Sequence, residues 1–144
     1  MKKLTAMAAM AAMALGAAAL EHDTPQVSGD WCRLTAGEAV YAGNIAAVCA
    51  TNGLAYAVNT TAVGGTLTVC GVFRHNAAKG EGVAVKRGGF VLENAGNITA
   101  KEIGATAYSV TNNAWTVTKT SGTKTVGKVA DVRGDGRVVV VVGR

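Results

Sequence analysis

Charge, histidine, proline and large aromatic rings are all scarce in this chain of 144 residues. Only 16% of the residues are charged, against roughly 25% in average soluble domains. A solvated disordered chain needs more charge and less apolar content, so disorder throughout is a poor reading. Two histidines and nine acids leave little material for general acid–base chemistry, which weighs against an enzyme with a polar active site. Two Trp, three Tyr and two Phe offer few large anchors for a deep core. The hydrophobic fraction is nonetheless 49%, and much of it is alanine and valine. Low charge together with many Gly, Val and Thr points to a β-rich domain with much of its surface packed on something.

Paired cysteines are also missing. Cys32, Cys49 and Cys70 make an odd set, so the chain cannot close a disulfide framework by itself. There is no CxxC, and neither His22 nor His75 stands at zinc-ligand spacing from a cysteine. Cys49 and Cys70 sit inside apolar runs, where free cysteine behaves as a small hydrophobe, and buried reduced thiols are expected. A nucleophilic pair of Cys70 with His75 lacks a third, orienting group. No metal and no cofactor is expected.

The formal charge of +5 invites a nucleic-acid reading, but the cations are not blocked. From Lys101 to Arg144 seven basic and three acidic residues are spread among Thr and Val, with Trp115 the one tryptophan among them. A base-stacking platform needs aromatics interleaved with a basic groove, so nucleic acid is not the expected partner.

Residues 1–20, MKKLTAMAAMAAMALGAAAL, carry two readings. Lys2 and Lys3, an apolar stretch and Ala17-Ala18-Ala19 follow the grammar of a secretory signal peptide. The stretch is too short and too alanine-rich to read as a transmembrane span. Its alanines and methionines are also good helix formers, and Met7, Met10 and Met13 recur on one face. A retained apolar arm or helix that packs on a partner is the preferred reading. Residues 21–29 read as a polar linker holding Pro25 and a solvated His22, with the β-rich domain at 30–144.

From Trp31 onward, runs of Val, Thr, Ala, Tyr and Ile alternate with Gly and Asn punctuation, the pattern of short strands and tight turns. Turns are expected at Asn52-Gly53, Gly64-Gly65, Gly88-Gly89, Asn112-Asn113 and Ser121-Gly122. Thr66–Phe73 and Thr116–Thr120 alternate as strands. Val138–Val142 reads as a strand buried on both faces or gripped between subunits. The stretch Ile98–Ile103 is the one helical candidate beyond the arm, and equally a turn.

Two pairs of segments repeat in order. Ala47–Val58 matches Thr106–Val117, aligning Tyr56 with Trp115. Gly80–Val85 matches Gly134–Val139. An internal duplication of about 55–60 residues follows. The expected fold is therefore all-β, a small sandwich or barrel-like domain, internally duplicated. No phosphate loop, serine elbow or zinc-protease motif is present. Glu81 and Asp135, in the Gly-acid-Gly turns, are expected to solvate the turn or bond to its backbone.

The residues that follow Cys70 carry a resemblance. Gly71-Val72-Phe73, then Ala77 to Val85, then Gly89-Phe90-Val91-Leu92 resemble the opening of small phage proteins known as capsid cement or head decoration proteins. Ile98 to Gly104, Tyr108 with Trp115–Thr118, Val126–Ala130 and Gly136–Val142 continue the likeness. It covers roughly 35–144, through small residues and strand order. The chain departs from the pattern in Val72-Phe73, in the uniform valines of the last strand and in its N-terminal segment.

The resemblance implies a β-domain without catalytic residues that binds the outside of an assembled phage head and stabilises it. It implies the major capsid protein as partner, location in the virion and self-association, with a trimer favoured. Neither a small-molecule substrate nor nucleic acid is expected. Candidate contacts with capsid or sister subunits are Leu4, Met7, Met10, Met13 and Leu15 of the arm, with Trp31 and Trp115. The alternative is an exported periplasmic or surface β-domain with a cleaved signal peptide.

Overall fold

Valine and threonine resist helix and fit a pleated surface, and the described residues fold accordingly into nine strands. The computed structural model describes residues 21–121 and 123–143. The predicted arm, with Leu4, Met7, Met10, Met13 and Leu15, lies outside them. The strands are β1 (Gln26–Thr35), β2 (Ile45–Cys49), β3 (Ala55–Ala57), β4 (Leu67–Phe73), β5 (Gly82–Asn94), β6 (Thr106–Ser109), β7 (Thr116–Thr118), β8 (Thr125–Val132) and β9 (Val138–Val142). Ala100–Glu102 forms a single 3-10 turn between β5 and β6. Thr99 and Glu102 cap it reciprocally, which satisfies backbone donors that so short a turn leaves open.

Hydrogen bonding runs in the order β3-β2-β4-β5-β7-β6-β8-β9, and β9 returns to pair with β5. Strands β5, β7, β6, β8 and β9 thus close a five-stranded barrel. Closure depends on one parallel pairing, Glu93 with Thr116 and Asn94 with Val117. The remaining strands repeat this plan. The first half of β5 pairs with β1 and β4, β4 with β2, and β2 with β3. A parallel bridge from Ala36 to Ala55 joins the end of β1 to β3.

The match extends to single hydrogen bonds. Gly43 N–H donates to Phe73 C=O at 2.9 Å, and Gly104 N–H to Val129 C=O at 2.7 Å. Gly37 N–H donates to Ala55 C=O at 2.8 Å, and Ala95 N–H to Val117 C=O at 2.9 Å. A register shift falls after Ala46 in β2 and after Ala107 in β6. Opposite each shift stands a glycine, Gly71 or Gly127. A Cβ on Gly71 would lie 2.2 Å from the carbonyl oxygen of Lys86, and one on Gly127 1.8 Å from that of Val141.

The duplication is therefore a repeat of topology, five strands each, with β5 serving both halves. Its register differs from the sequence match. Tyr56 pairs with Ala47, and Thr118 pairs with Tyr108. Since Ala47 and Tyr108 each follow the register shift, Tyr56 corresponds to Thr118 and not to Trp115. Gly88-Gly89, expected as a turn, lies inside β5. The reason is a close crossing, because a Cβ on Gly88 would sit 2.0 Å from the Ser28 carbonyl oxygen. The expected linker also shrinks, since residues 26–29 already belong to β1.

Each half fills its own interior. Val83, Val85, Ala46, Ala55 and Phe73 bury together, with Cys32 and Leu34 against them. Val138, Val140, Ala107, Val117, Val129, Phe90 and Leu92 do the same in the second half. The large ring comes from β4 in one half and from β5 in the other. Where the first half has Phe73 and Cys32, the corresponding pairings of the second place Val129 and Phe90. Such an exchange conserves volume, the substitution that cores tolerate best. Ile45, Val58, Val69 and Val72 join the second cluster, so the two halves share a seam. The five valines of β9 run between β5 and β8, and Val138, Val140 and Val142 are fully buried.

Candidate interaction surface

Of the two tryptophans expected to make contacts, Trp31 is the more exposed. It stands 55% exposed on β1, with Val27 also exposed on that strand. Successive side chains of a strand point to opposite faces, so Cys32 and Leu34 turn inward while Trp31 and Arg33 turn out. Lys86 lies directly across from Trp31, its ammonium 5.9 Å from the ring centroid. That distance is within cation–π range.

Trp115 is engaged inside the molecule. It stacks with His22, ring centroids 5.0 Å apart and 11° from parallel. His22 was expected to be a solvated linker residue, and the structure corrects this. Its N–H donates to Ala42 C=O at 2.7 Å, its Nδ1 lies 3.0 Å from Thr24 Oγ1, and its Nε2 lies 3.8 Å from Glu93. Thr24 in turn donates to Gly43 C=O at 2.6 Å. These contacts pin residues 22–24 across the seam.

Acidification is expected to loosen this stack. Burial lowers the pKa of the His22 imidazole; Glu93 and Asp23 oppose that shift and Arg137 adds to it. The folded state favours the neutral ring. Its contribution is complete above about pH 6.5 and is lost as the pH falls from there through the depressed folded value. In a Trp31→Phe background, Trp115 emission should change as the pH falls below about 6.5 and stay constant once His22 is replaced by Phe. A flat profile with His22 present would contradict this.

The segment that His22 anchors also walls a cleft of about 400 Å³. Asp23, Ala42, Phe73, Arg74, Lys86 and Phe90 are among its lining residues. Arg74 and Lys86 are the arginine and lysine of its lining, and Asp23 is the acid. Four ion pairs occur among the described residues: His22–Glu93, Arg87–Asp30, Lys119–Glu102 and Arg137–Asp135. Arg33, Arg74 and Lys86 belong to none of them.

The groups with chemical potential elsewhere are engaged. His75 accepts from Ala84 N–H through Nε2 at 3.2 Å, and its Nδ1 lies 2.9 Å from Asn76 O. Cys70 instead donates to Ala46 C=O at 3.5 Å. Burial and the neighbouring Cys32 push the Cys70 thiol up to about 12, away from the thiolate a nucleophile requires. All three cysteines are free thiols, Cys49 fully buried. Glu81 accepts from Ala78 N–H at 2.8 Å and Asp135 from Arg137 N–H at 3.0 Å, so both bond to their turns as expected. The Arg137 contacts hold the Asp135 carboxyl below its ordinary range. Among the described residues no three His, Cys, Asp or Glu side chains gather as a metal site.

Sequence reasoning missed Arg33, Arg74 and Lys86 as a group. They come from three different strands or their ends, so only the pairing register brings them together. No family model matches the chain, and no curated protein matches it.

Proposed function

We propose that the protein is a virion structural protein, a cement subunit that binds the outer surface of an assembled phage head and stabilises it. The observation that carries this reading is the placement of the family-like segments. Gly71–Phe73 ends β4, Ala77–Val85 forms the turn and first half of β5, and Gly89–Leu92 its second half. Trp115–Thr118, Val126–Ala130 and Gly136–Val142 supply β7, β8 and β9. The quoted segments thus fall on β4, on β5 and the turn before it, and on β7, β8 and β9.

A cement subunit needs a stiff scaffold and exposed anchors, and no catalytic group. An exposed Trp flanked by cations suits that role, because Trp and Arg dominate the energetics of protein interfaces. Repeated sites on a shell convert modest single affinities into stable decoration, and self-association into a trimer would add to that. The major capsid protein is the proposed partner and the virion the proposed location.

Purified protein should co-sediment with assembled heads, and heads lacking it should release their contents at lower temperature. Failure of both would overturn the reading. The second reading, an exported β-domain, draws on Lys2-Lys3, the apolar run and Ala17-Ala18-Ala19. Intact mass separates the two, since export predicts loss of the first twenty or so residues.

A further inference from the structure

The outer face of β1, β5 and the end of β4 has a charge pattern that suits one kind of partner. Arg33 lies across from Ala84. On the other edge of β5, Arg74 N–H donates to Ala84 C=O at 2.9 Å. Directly opposed residues on neighbouring strands point to the same face. Arg33, Ala84 and Arg74 therefore form a row, two guanidinium side chains with a methyl between them. Strands lie about 4.8 Å apart, so the backbones of Arg33 on β1 and of Arg74, the residue after β4, stand about 10 Å apart on either side of β5.

Trp31 and Lys86 form the adjoining row, and Lys86 and Arg74 continue into the cleft beside residues 22–26. Among the described residues Arg33 and Arg74 make no ion pair. Arg87, one residue further along β5, is held by Asp30 at 3.2 Å. With Arg33 and Arg74 outside every ion pair of the described residues and Lys86 over the Trp31 ring, this face carries an excess of positive charge beside a largely exposed Trp. A guanidinium matches a carboxylate in a planar, two-point fashion.

The geometry points to this face as the docking site for an acidic loop of a partner protein. One carboxylate sits over Ala84 between Arg33 and Arg74, and the loop backbone covers Trp31. The proposal rests on the cement reading and names the chemistry of the shell surface that this subunit recognises. Protein is favoured over nucleic acid because Trp31 stands alone, and single strands need successive stacking rings.

The test uses the full chain, a fluorescent peptide of alternating Glu and Gly, and a short oligothymidine, at low salt. Arg33→Glu/Arg74→Glu should weaken peptide binding at least about tenfold. Lys124→Glu/Lys128→Glu, with the same change in net charge on the β8 side, should weaken it less than about threefold. Both doubles change exposed or half-exposed side chains, and circular dichroism checks that each folds. Absent peptide binding, equal losses in the two doubles, or tighter binding of oligothymidine through the same arginines would overturn the proposal.

Co-sedimentation with heads tells the two ideas apart. Wild type that binds heads, with undiminished binding by Arg33→Glu/Arg74→Glu, removes this site and leaves the cement reading intact. Wild type that ignores heads while the peptide result holds removes the cement reading and leaves an acidic-loop site.

Discussion

Phe90→Ala is expected to lower the free energy of unfolding by about 3–5 kcal/mol, and to do so for both barrels at once. The ring is 2% exposed in the second cluster, and its backbone pairs with Val140 and Gln26. Deleting it removes transfer free energy and leaves a void that neighbouring strands, paired on both edges, cannot collapse to fill. The same substitution at Phe73 empties the first half by a comparable amount. Because β5 belongs to both interiors, neither barrel can open alone without unpairing the other's strand. Urea unfolding followed by Trp31 and Trp115 emission in single-Trp backgrounds should therefore give one midpoint, shifted together. Two separate midpoints in Phe90→Ala, with Trp31 unmoved, would show that the halves are independent.

Gly127→Val should be as damaging, through a different cause. Its Cβ would lie 1.8 Å from the Val141 carbonyl oxygen, a backbone atom that cannot turn aside. The strands would have to separate where β8 changes register, at a cost of about 3 kcal/mol or more. Gly64 is the control. A Cβ there meets nothing within 4 Å, so Gly64→Ala should stay within about 0.5 kcal/mol of wild type. Thermal melts of the two variants side by side make the comparison. A Gly127→Val protein that melts like the parent would refute the close approach of the strands.

Strand existence was legible because side-chain chemistry is local. The alternation of Thr66–Phe73 and the valines of 138–142 fall on β4 and β9. The duplication was legible in outline for the same reason, since both halves need the same turns. Its register was not, because the matched positions are fixed by a shift after Ala46 and after Ala107 that no single side chain announces. Gly88-Gly89 misled for a related cause. Glycine pairs mark turns when a chain reverses, and here they mark two strands in close contact.

His22 was unreadable because its partner ring, Trp115, arrives from the other half, just before β7. The arginine row was hidden in the same way. Arg33 and Arg74 look like scattered surface charges until β5 is laid between them.

The shared strand also bears on how the protein would carry load. Antiparallel and parallel neighbours grip β5 along its whole length: β1 and β4 near its start, β9 in the middle, β7 at its end. Tension along that strand is resisted by four rows of hydrogen bonds in shear, which must fail together and cannot unzip one by one. Resistance to pulling is set by the rate of unfolding and not by its equilibrium. Under sudden strain, β5 would act as a keel running through both barrels.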